Sequence, residues 1–265
     1  MTSTMSALQT GERVNRIEYY NALMNQLLTI GESMLTSGAG VNKVEETLAA
    51  IGRAYGASRM DVFVITSCAI VTMYPEDSCA VTQTRRILSP GSPNFSRVEA
   101  FSKLSKECER TPITLEELTD RVESIVSRQY PEKLIYLGSV LAAGGFAVFF
   151  GGTLMDGILA AAAGAFVCYC QRRLAWISPN QVVYLFLCAL CAGFVISAMG
   201  AAFPAVHPDM IMIGDIMLLI PGVAMTHSVR DILAGDTISG FMRLLETIVW
   251  AGALACGFMI PMWLI

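Results

Sequence analysis

Leu134-Ile-Tyr-Leu-Gly-Ser-Val-Leu-Ala-Ala-Gly-Gly-Phe-Ala-Val-Phe-Phe150 contains no charged residue. A helix that crosses bilayer hydrocarbon needs about 20 predominantly apolar residues, at about 1.5 Å of rise each. This run approaches that length, and the chain changes character where it begins. About 30 of the 40 charged residues precede it, and from here to Ile265 apolar and small residues dominate. The contrast predicts an α-helical membrane bundle over residues 134–265. A small cytoplasmic α+β domain over residues 1–133 precedes it.

Forward from Phe150, four more runs meet or approach a membrane span: 152–170, 182–203, 210–224, which is short, and about 241–265. The expectation is therefore five transmembrane helices in a lipid bilayer. Gly144, Gly145, Ala160, Gly164, Gly193, Gly252 and Gly257 lie inside these runs and permit close helix approach. Lys and Arg set orientation. Arg128 and Lys133 precede the first run, Gln171-Arg-Arg173 separates the second from the third, and Arg230 and Arg243 separate the fourth from the fifth. The turns near Gly151 and over 204–209 carry neither. All the basic segments fall on one side, which puts the N-terminus in the cytoplasm and the C-terminus outside a cell membrane. Met1-Thr-Ser-Thr-Met-Ser-Ala7 opens without the apolar core of a signal peptide, so insertion without cleavage is expected.

Backward from Leu134, periodicity shortens and charge returns. Ile17, Tyr20, Leu23, Leu27, Ile30 and Met34 recur at helical spacing, and Ser37-Gly-Ala-Gly40 ends that helix. Val44, Leu48 and Ile51 mark one face of a second helix, from Val41 to Tyr55. Residues 60–66 and 69–74 are β-branched and aromatic and read as strand, with a turn at Pro75-Glu-Asp-Ser78, and 80–88 continues as a second or third strand. A Ser/Pro/Gly/Asn loop covers 89–94, and helices follow over about 95–110 and 115–129. Thr114-Leu-Glu-Glu117 has the spacing of a capping box.

A net charge of −4 argues against a nucleic-acid partner, because phosphate binding needs a basic face. No P-loop and no dinucleotide glycine motif is present, and no histidine precedes His207, so hydrolase chemistry in the N-terminal part has weak support. No cofactor or metal is expected. Cys188-Ala-Leu-Cys191 has CxxC spacing, but it lies among Leu, Phe and Val without a second pair, and reads as small residues packing a membrane helix. Arg85-Arg86 reads as an anion contact or as a solvated pair at a strand end.

The polar residues within the apolar half are the candidate functional residues. Asp215 lies in Met210-Ile-Met-Ile-Gly-Asp-Ile-Met-Leu-Leu-Ile220, where a carboxylate costs at least a few kcal/mol unless it is partnered or hydrated. Asp156 sits one turn into the second run. There it serves a function, or it simply reaches interfacial water and complements the positive end of a helix. Pro221-Gly222 interrupts the fourth run, and a broken helix frees backbone groups to line a cavity. His227, Arg230, Asp231, Asp236, Arg243 and Glu246 follow. They read as a substrate or gating segment, or as a hairpin with surface charges in which Arg243 and Glu246 neutralise each other.

Several stretches resemble the threonine/serine exporter (ThrE-type) family. They are Gly38-Ala-Gly-Val-Asn-Lys-Val-Glu-Glu46, Thr84-Arg-Arg-Ile87, Gly152-Thr-Leu-Met-Asp-Gly157 and, most specifically, Leu219-Ile-Pro-Gly-Val-Ala-Met-Thr-His-Ser-Val-Arg-Asp231, followed by Gly235-Asp236 and Gly240-Phe-Met-Arg243. The closer resemblance is to the split form of the family, in which a five-helix protein works beside a smaller membrane partner. The family usually has Asn where His227 stands. The resemblance implies export of small polar metabolites: threonine and serine in fused relatives, succinate-like dicarboxylates in split ones. Less directly, it implies proton coupling.

On that reading Asp215 and Asp156 are proton or substrate contacts on the outer route. Pro221-Gly222 forms the break. His227, Arg230, Asp231 and Arg243 form the inner mouth, with an arginine reading the substrate carboxylate. The sequence has no clear internal repeat, so a second, smaller membrane subunit, oligomerisation, or both are expected. An aspartyl intramembrane protease would need Gly-x-Gly-Asp, and Met212-Ile-Gly-Asp215 lacks the first glycine. A membrane-tethered ligand-binding or regulatory module is the remaining alternative.

Overall fold

A computed structural model describes residues 2–87, 93–178 and 180–264, with side chains from residue 16 onward except 176 and 177. Most of the loop expected over 89–94 lies outside the described residues. The chain divides into two compact units. One comprises residues 1–128 with 226–243, and the other 129–225 with 244–265.

The first unit begins with α1 (Thr2–Thr36) and α2 (Val41–Ala54), joined at Gly38. Gly38 has φ +89, and the bonds Ala39 N→Met34 O and Gly38 N→Leu35 O, each 3.0 Å, form a Schellman turn. A glycine takes this left-handed conformation without the Cβ penalty. Three antiparallel strands follow in the order β1 (Ala57–Ile65), β2 (Cys68–Pro75), β3 (Val81–Arg86). The β1–β2 register pairs Phe63 with Ile70 and Val64 with Ala69, and β2–β3 pairs Val71 with Gln83. Because side chains alternate across a strand, Val64, Ala69, Val71 and Met73 all face inward. They meet Leu23, Leu27, Ile30 and Met34 of α1 and Val44, Leu48 and Ile51 of α2, the positions that the helical spacing selected. Ile17, from the same pattern, is exposed.

Helices α3 (Phe95–Arg110) and α4 (Leu115–Ser127) close this core with Phe101, Leu104, Leu118 and Val122. The capping box expected at Thr114 is half formed. The Thr114 hydroxyl accepts from Glu117 N at 3.3 Å, but the Glu117 carboxylate pairs with Arg121 one turn on, at 2.7 Å. Arg85 is neither a solvated strand-end charge nor an open anion site. It donates to Thr29 at 2.8 Å and to Asn25, and pairs with Glu32 at 3.3 Å, tying β3 to α1.

The second unit contains α5 (Glu132–Phe149), α6 (Leu154–Ile177), α7 (Gln181–Ala202) and α8 (Pro208–Ile216). Helices α9 (Gly222–Leu233) and α10 (Thr237–Leu264) contribute residues to both units. Close approach rests on small residues, as expected for helices in lipid. A Cβ on Gly144 would lie 2.8 Å from Gly157 O, and one on Gly257 would lie 2.7 Å from Phe186 O. Arg172, near the end of α6, pairs with Glu132 at the start of α5, so these two helix ends lie together.

Among the described residues four helices are long and apolar enough to cross a membrane: Glu132–Phe149, Leu154–Ala175, Gln181–Ala202 and Thr237–Leu264. The expected fourth run, 210–224, is not one continuous helix. α8 stops at Ile216, where Leu219 N and Ile220 N both bond back to the Ile216 carbonyl at 3.0 Å. Pro221 explains the stop: it has no N–H to donate and it steers Ile220 away from helical backbone.

Candidate functional site

Asp215 lies on α8 in the second unit and is fully buried. Neither carboxyl oxygen has a hydrogen-bond partner among the described residues. The packing around it is made of small residues. A Cβ on Gly164 of α6 would lie 3.3 Å from Asp215 Oδ1, and one on Gly214 would lie 2.5 Å from Ala143 O of α5. Three helices thus enclose a carboxyl group that none of them satisfies. Buried polar groups are ordinarily paired, and those that are not mark a water, an ion or a functional role.

Asp156 is equally buried but fully engaged. It accepts from Thr153 N and Thr153 Oγ1 at 2.8 Å each, while its own N–H donates to Thr153 Oγ1 at 3.3 Å, which completes a capping box at the start of α6. It also accepts from His207 N at 2.8 Å, and His207 Nδ1 lies 3.0 Å from Asp156 Oδ2. His207 is the residue before α8, so one carboxylate fastens two helix starts. The sequence reading missed His207 in this role. Thr153-x-x-Asp156 carried the capping-box spacing that was recognised only at Thr114. Of the two aspartates proposed for one route, then, one fastens helices and the other is buried without a hydrogen-bond partner among the described residues.

Pro221 and Gly222 form the break between α8 and α9. The remaining predicted residues, Glu246 excepted, gather in the first unit. Ala234 N→Arg230 O, Gly235 N→Ile232 O and Asp236 N→Asp231 O close α9, with Gly235 at φ +97. The chain then turns into α10. The two helices cross tightly at Gly240, where a Cβ would lie 2.7 Å from Ser228 O and 2.8 Å from Ile232 N. This crossing brings Arg243 to Asp231, with Nη1 3.3 Å from Oδ2, Asp231 being fully buried. Arg243 therefore does not neutralise Glu246, which is exposed and forms no ion pair among the described residues.

His227 Nδ1, both Asp231 carboxyl oxygens and Asp236 Oδ2 are buried without hydrogen-bond partners among the described residues. Burial, then Arg243 and Arg230, hold the His227 imidazole below its ordinary value and so favour the neutral ring. Burial pushes the Asp231 carboxyl up, against the opposing pull of Arg243. Gly40, at the start of α2, completes this cluster: a Cβ there would lie 2.6 Å from Arg230 Nη2 and 3.5 Å from Asp231 Oδ1. The Gly38–Glu46 stretch and the Thr226–Asp231 end of the Leu219–Asp231 stretch, distant in sequence, thus belong to one unit, with Gly40 beside Arg230 and Asp231.

The family model described as "Putative threonine/serine exporter" (ThrE) matches residues 25–265. The "Probable threonine/serine exporter" of Mycobacterium tuberculosis (strain ATCC 25618 / H37Rv) is 21% identical over 244 residues, covering 91% of this chain and 46% of that relative. The "Threonine/serine exporter" of Corynebacterium glutamicum is 23% identical over 245 residues, covering 89% of this chain and 50% of that relative. The chain spans about half the length of the curated relatives it matches. No solved structure matches it. The family is one of transporters, not enzymes, which sets aside the protease reading of Asp215. With the match running through both units and all four long apolar helices, the chain belongs to the threonine/serine exporter (ThrE) family and is a multi-pass membrane protein.

Proposed function

We propose that this chain is a subunit of a secondary exporter that carries small polar metabolites, threonine and serine or succinate-like dicarboxylates, out of the cell. The observation that carries the reading is Asp215: a fully buried carboxyl, unpartnered among the described residues, on a short helix that ends before a Pro-Gly break. A charged group in hydrocarbon costs free energy unless something compensates it, so such a residue is retained for a proton or a solute. Broken helices are the usual frame for such sites in transporters. The segment from α8 to the start of α9 then serves as a fifth, interrupted crossing. Counted with the four long helices it puts the N-terminus in the cytoplasm and the C-terminus outside, with the basic segments inside.

Asp215 is the proton or substrate contact of the route. Asp156 holds the outer helix starts in place. His227, Arg230, Asp231, Asp236 and Arg243 form the inner mouth, where a guanidinium reads a substrate carboxylate. A second, smaller membrane subunit or further copies of this chain complete the pathway.

Efflux tests the reading. Cells loaded with threonine- or serine-containing dipeptides, or accumulating succinate, are compared with this chain alone, with a candidate small partner, and with Asp215→Asn. Partner-dependent release that the substitution abolishes is the expected result. Equal release in every strain, with both proteins present in the membrane, would return the chain to the regulatory-module alternative.

A further inference from the structure

Gly40 has no backbone reason to be glycine. Its φ of −70 and ψ of 150 are open to any residue, whereas Gly38, two positions earlier, sits at φ +89. As the residue preceding α2 it also forgoes a useful side chain, because Ser, Asp or Asn there would accept a bond from an otherwise unpaired helix N–H. What a side chain would meet is Arg230. A Cβ would stand 2.6 Å from Nη2 and 3.2 Å from Cζ, distances that ordinary contacts do not reach. The obstructing atoms are the far end of a flexible side chain, so a substitution would move the guanidinium and leave the backbone in place.

We infer that Gly40 is a positioning residue for transport, whose missing side chain lets the N-terminal unit seat the Arg230 guanidinium against the start of α2 and beside Asp231. The inference rests on the reading of the α9–α10 hairpin as part of the export route, and it gives the N-terminal unit a part in that route. The seat is electrostatically demanding. The N-terminus of α2 presents the positive end of a helix, and Asp231, the nearby acid, is already shared with Arg243. Arg230 is exposed and forms no ion pair among the described residues, which suits its guanidinium to a passing carboxylate. Displacing it weakens that contact without unfolding the layer behind it.

The test uses the full chain with its partner in cells, with threonine and serine, and separately succinate, as probes. Gly40→Ser and Gly40→Ala are expected to lower the initial efflux rate by about tenfold, since small displacements of a binding group are costly. The thermal midpoint of purified Gly40→Ser in detergent stays level or rises, because the serine adds a helix cap. A merely structural role for Gly40 would lower stability and transport together. In the Gly40→Ala background Arg230→Lys restores much of the rate, because lysine keeps the charge and lacks the Nη2 branch. Wild-type efflux from Gly40→Ala beside a loss in Arg230→Ala would overturn the inference and leave the exporter reading intact. So would a Gly40→Ala defect that Arg230→Lys does not relieve. Unchanged efflux in both Arg230→Ala and Asp231→Asn would remove the hairpin from the route, and the inference with it.

Discussion

At the scale of single residues, the two buried aspartates of the second unit part company. Asp156 takes hydrogen bonds from Thr153 and His207 and has no capacity to spare. Asp156→Ala should strand those donors and lower the thermal midpoint in detergent by roughly 5 °C or more. Asp215→Asn, at a carboxyl with no hydrogen-bond partner among the described residues, should leave the midpoint near the wild-type value and bring efflux to background. His227 adds a pH dependence. Burial and the facing Arg243 and Arg230 depress its folded-state value, with Asp231 opposing them. Its contribution is therefore intact above the ordinary histidine value and is lost as pH falls through the depressed one. The wild-type midpoint should drop between about pH 7 and about pH 5. His227→Asn should flatten that part of the drop, as thermal melts at matched ionic strength would show. Little of this pairing was legible beforehand. The bond between Asp156 and His207 joins residues far apart in sequence, and Gly40 has an ordinary backbone that gives no local signal.

Among elements, what could be read depended on whether local rules had a competitor. The long apolar helices followed from length and hydrocarbon content, and the inward face of α2 from its spacing. The halt of α8 followed from the covalent chemistry of Pro221. Two local readings failed where a distant or neighbouring partner intervened. Glu117 turned to Arg121 in place of the helix cap, and Arg243 turned to Asp231 in place of Glu246. The second outcome depends on Gly240, which lets α9 and α10 cross at backbone contact. α9 also reverses the pattern of a soluble helix: Ser228 and Asp231 are buried while Val229 and Leu233 face outward. Gly240→Val would drive a side chain into the Ser228 carbonyl and the Ile232 amide. Lower membrane accumulation and a lower melting midpoint are expected. Gly252→Ala, on the same helix with nothing within 4 Å of an added Cβ, should match wild type in both measurements.

For the whole molecule, the boundary between the units does not follow the linear order of the chain. Residues 226–243 belong with the N-terminal unit, although they follow three of the long apolar helices. Composition alone located the change at Leu134 but had no means of returning a later segment to the earlier part, because that assignment depends on tertiary packing. Removing residues 1–128 should accordingly strip Asp231, Arg230 and Gly240 of their surroundings. Efflux should fall to background even with the remaining helices in the membrane. An independent regulatory module predicts the opposite, export that survives the deletion.

The solitary carboxyl of Asp215 has an electrical consequence. On the proposed route, with no hydrogen-bond partner among the described residues, it would draw its counter-charge from whatever passes, a proton or a cationic group of the solute. Charge displaced through a membrane does work against the transmembrane voltage, about 2.3 kcal/mol per elementary charge per 100 mV. That work corresponds to about a fiftyfold concentration ratio for a neutral amino acid exchanged against one proton. Export should then respond to voltage clamped with a potassium ionophore even when internal and external pH are equal, and Asp215→Asn should erase the response. On the proposed function, a residue without a hydrogen-bond partner among the described residues would in this way set the current that accompanies export.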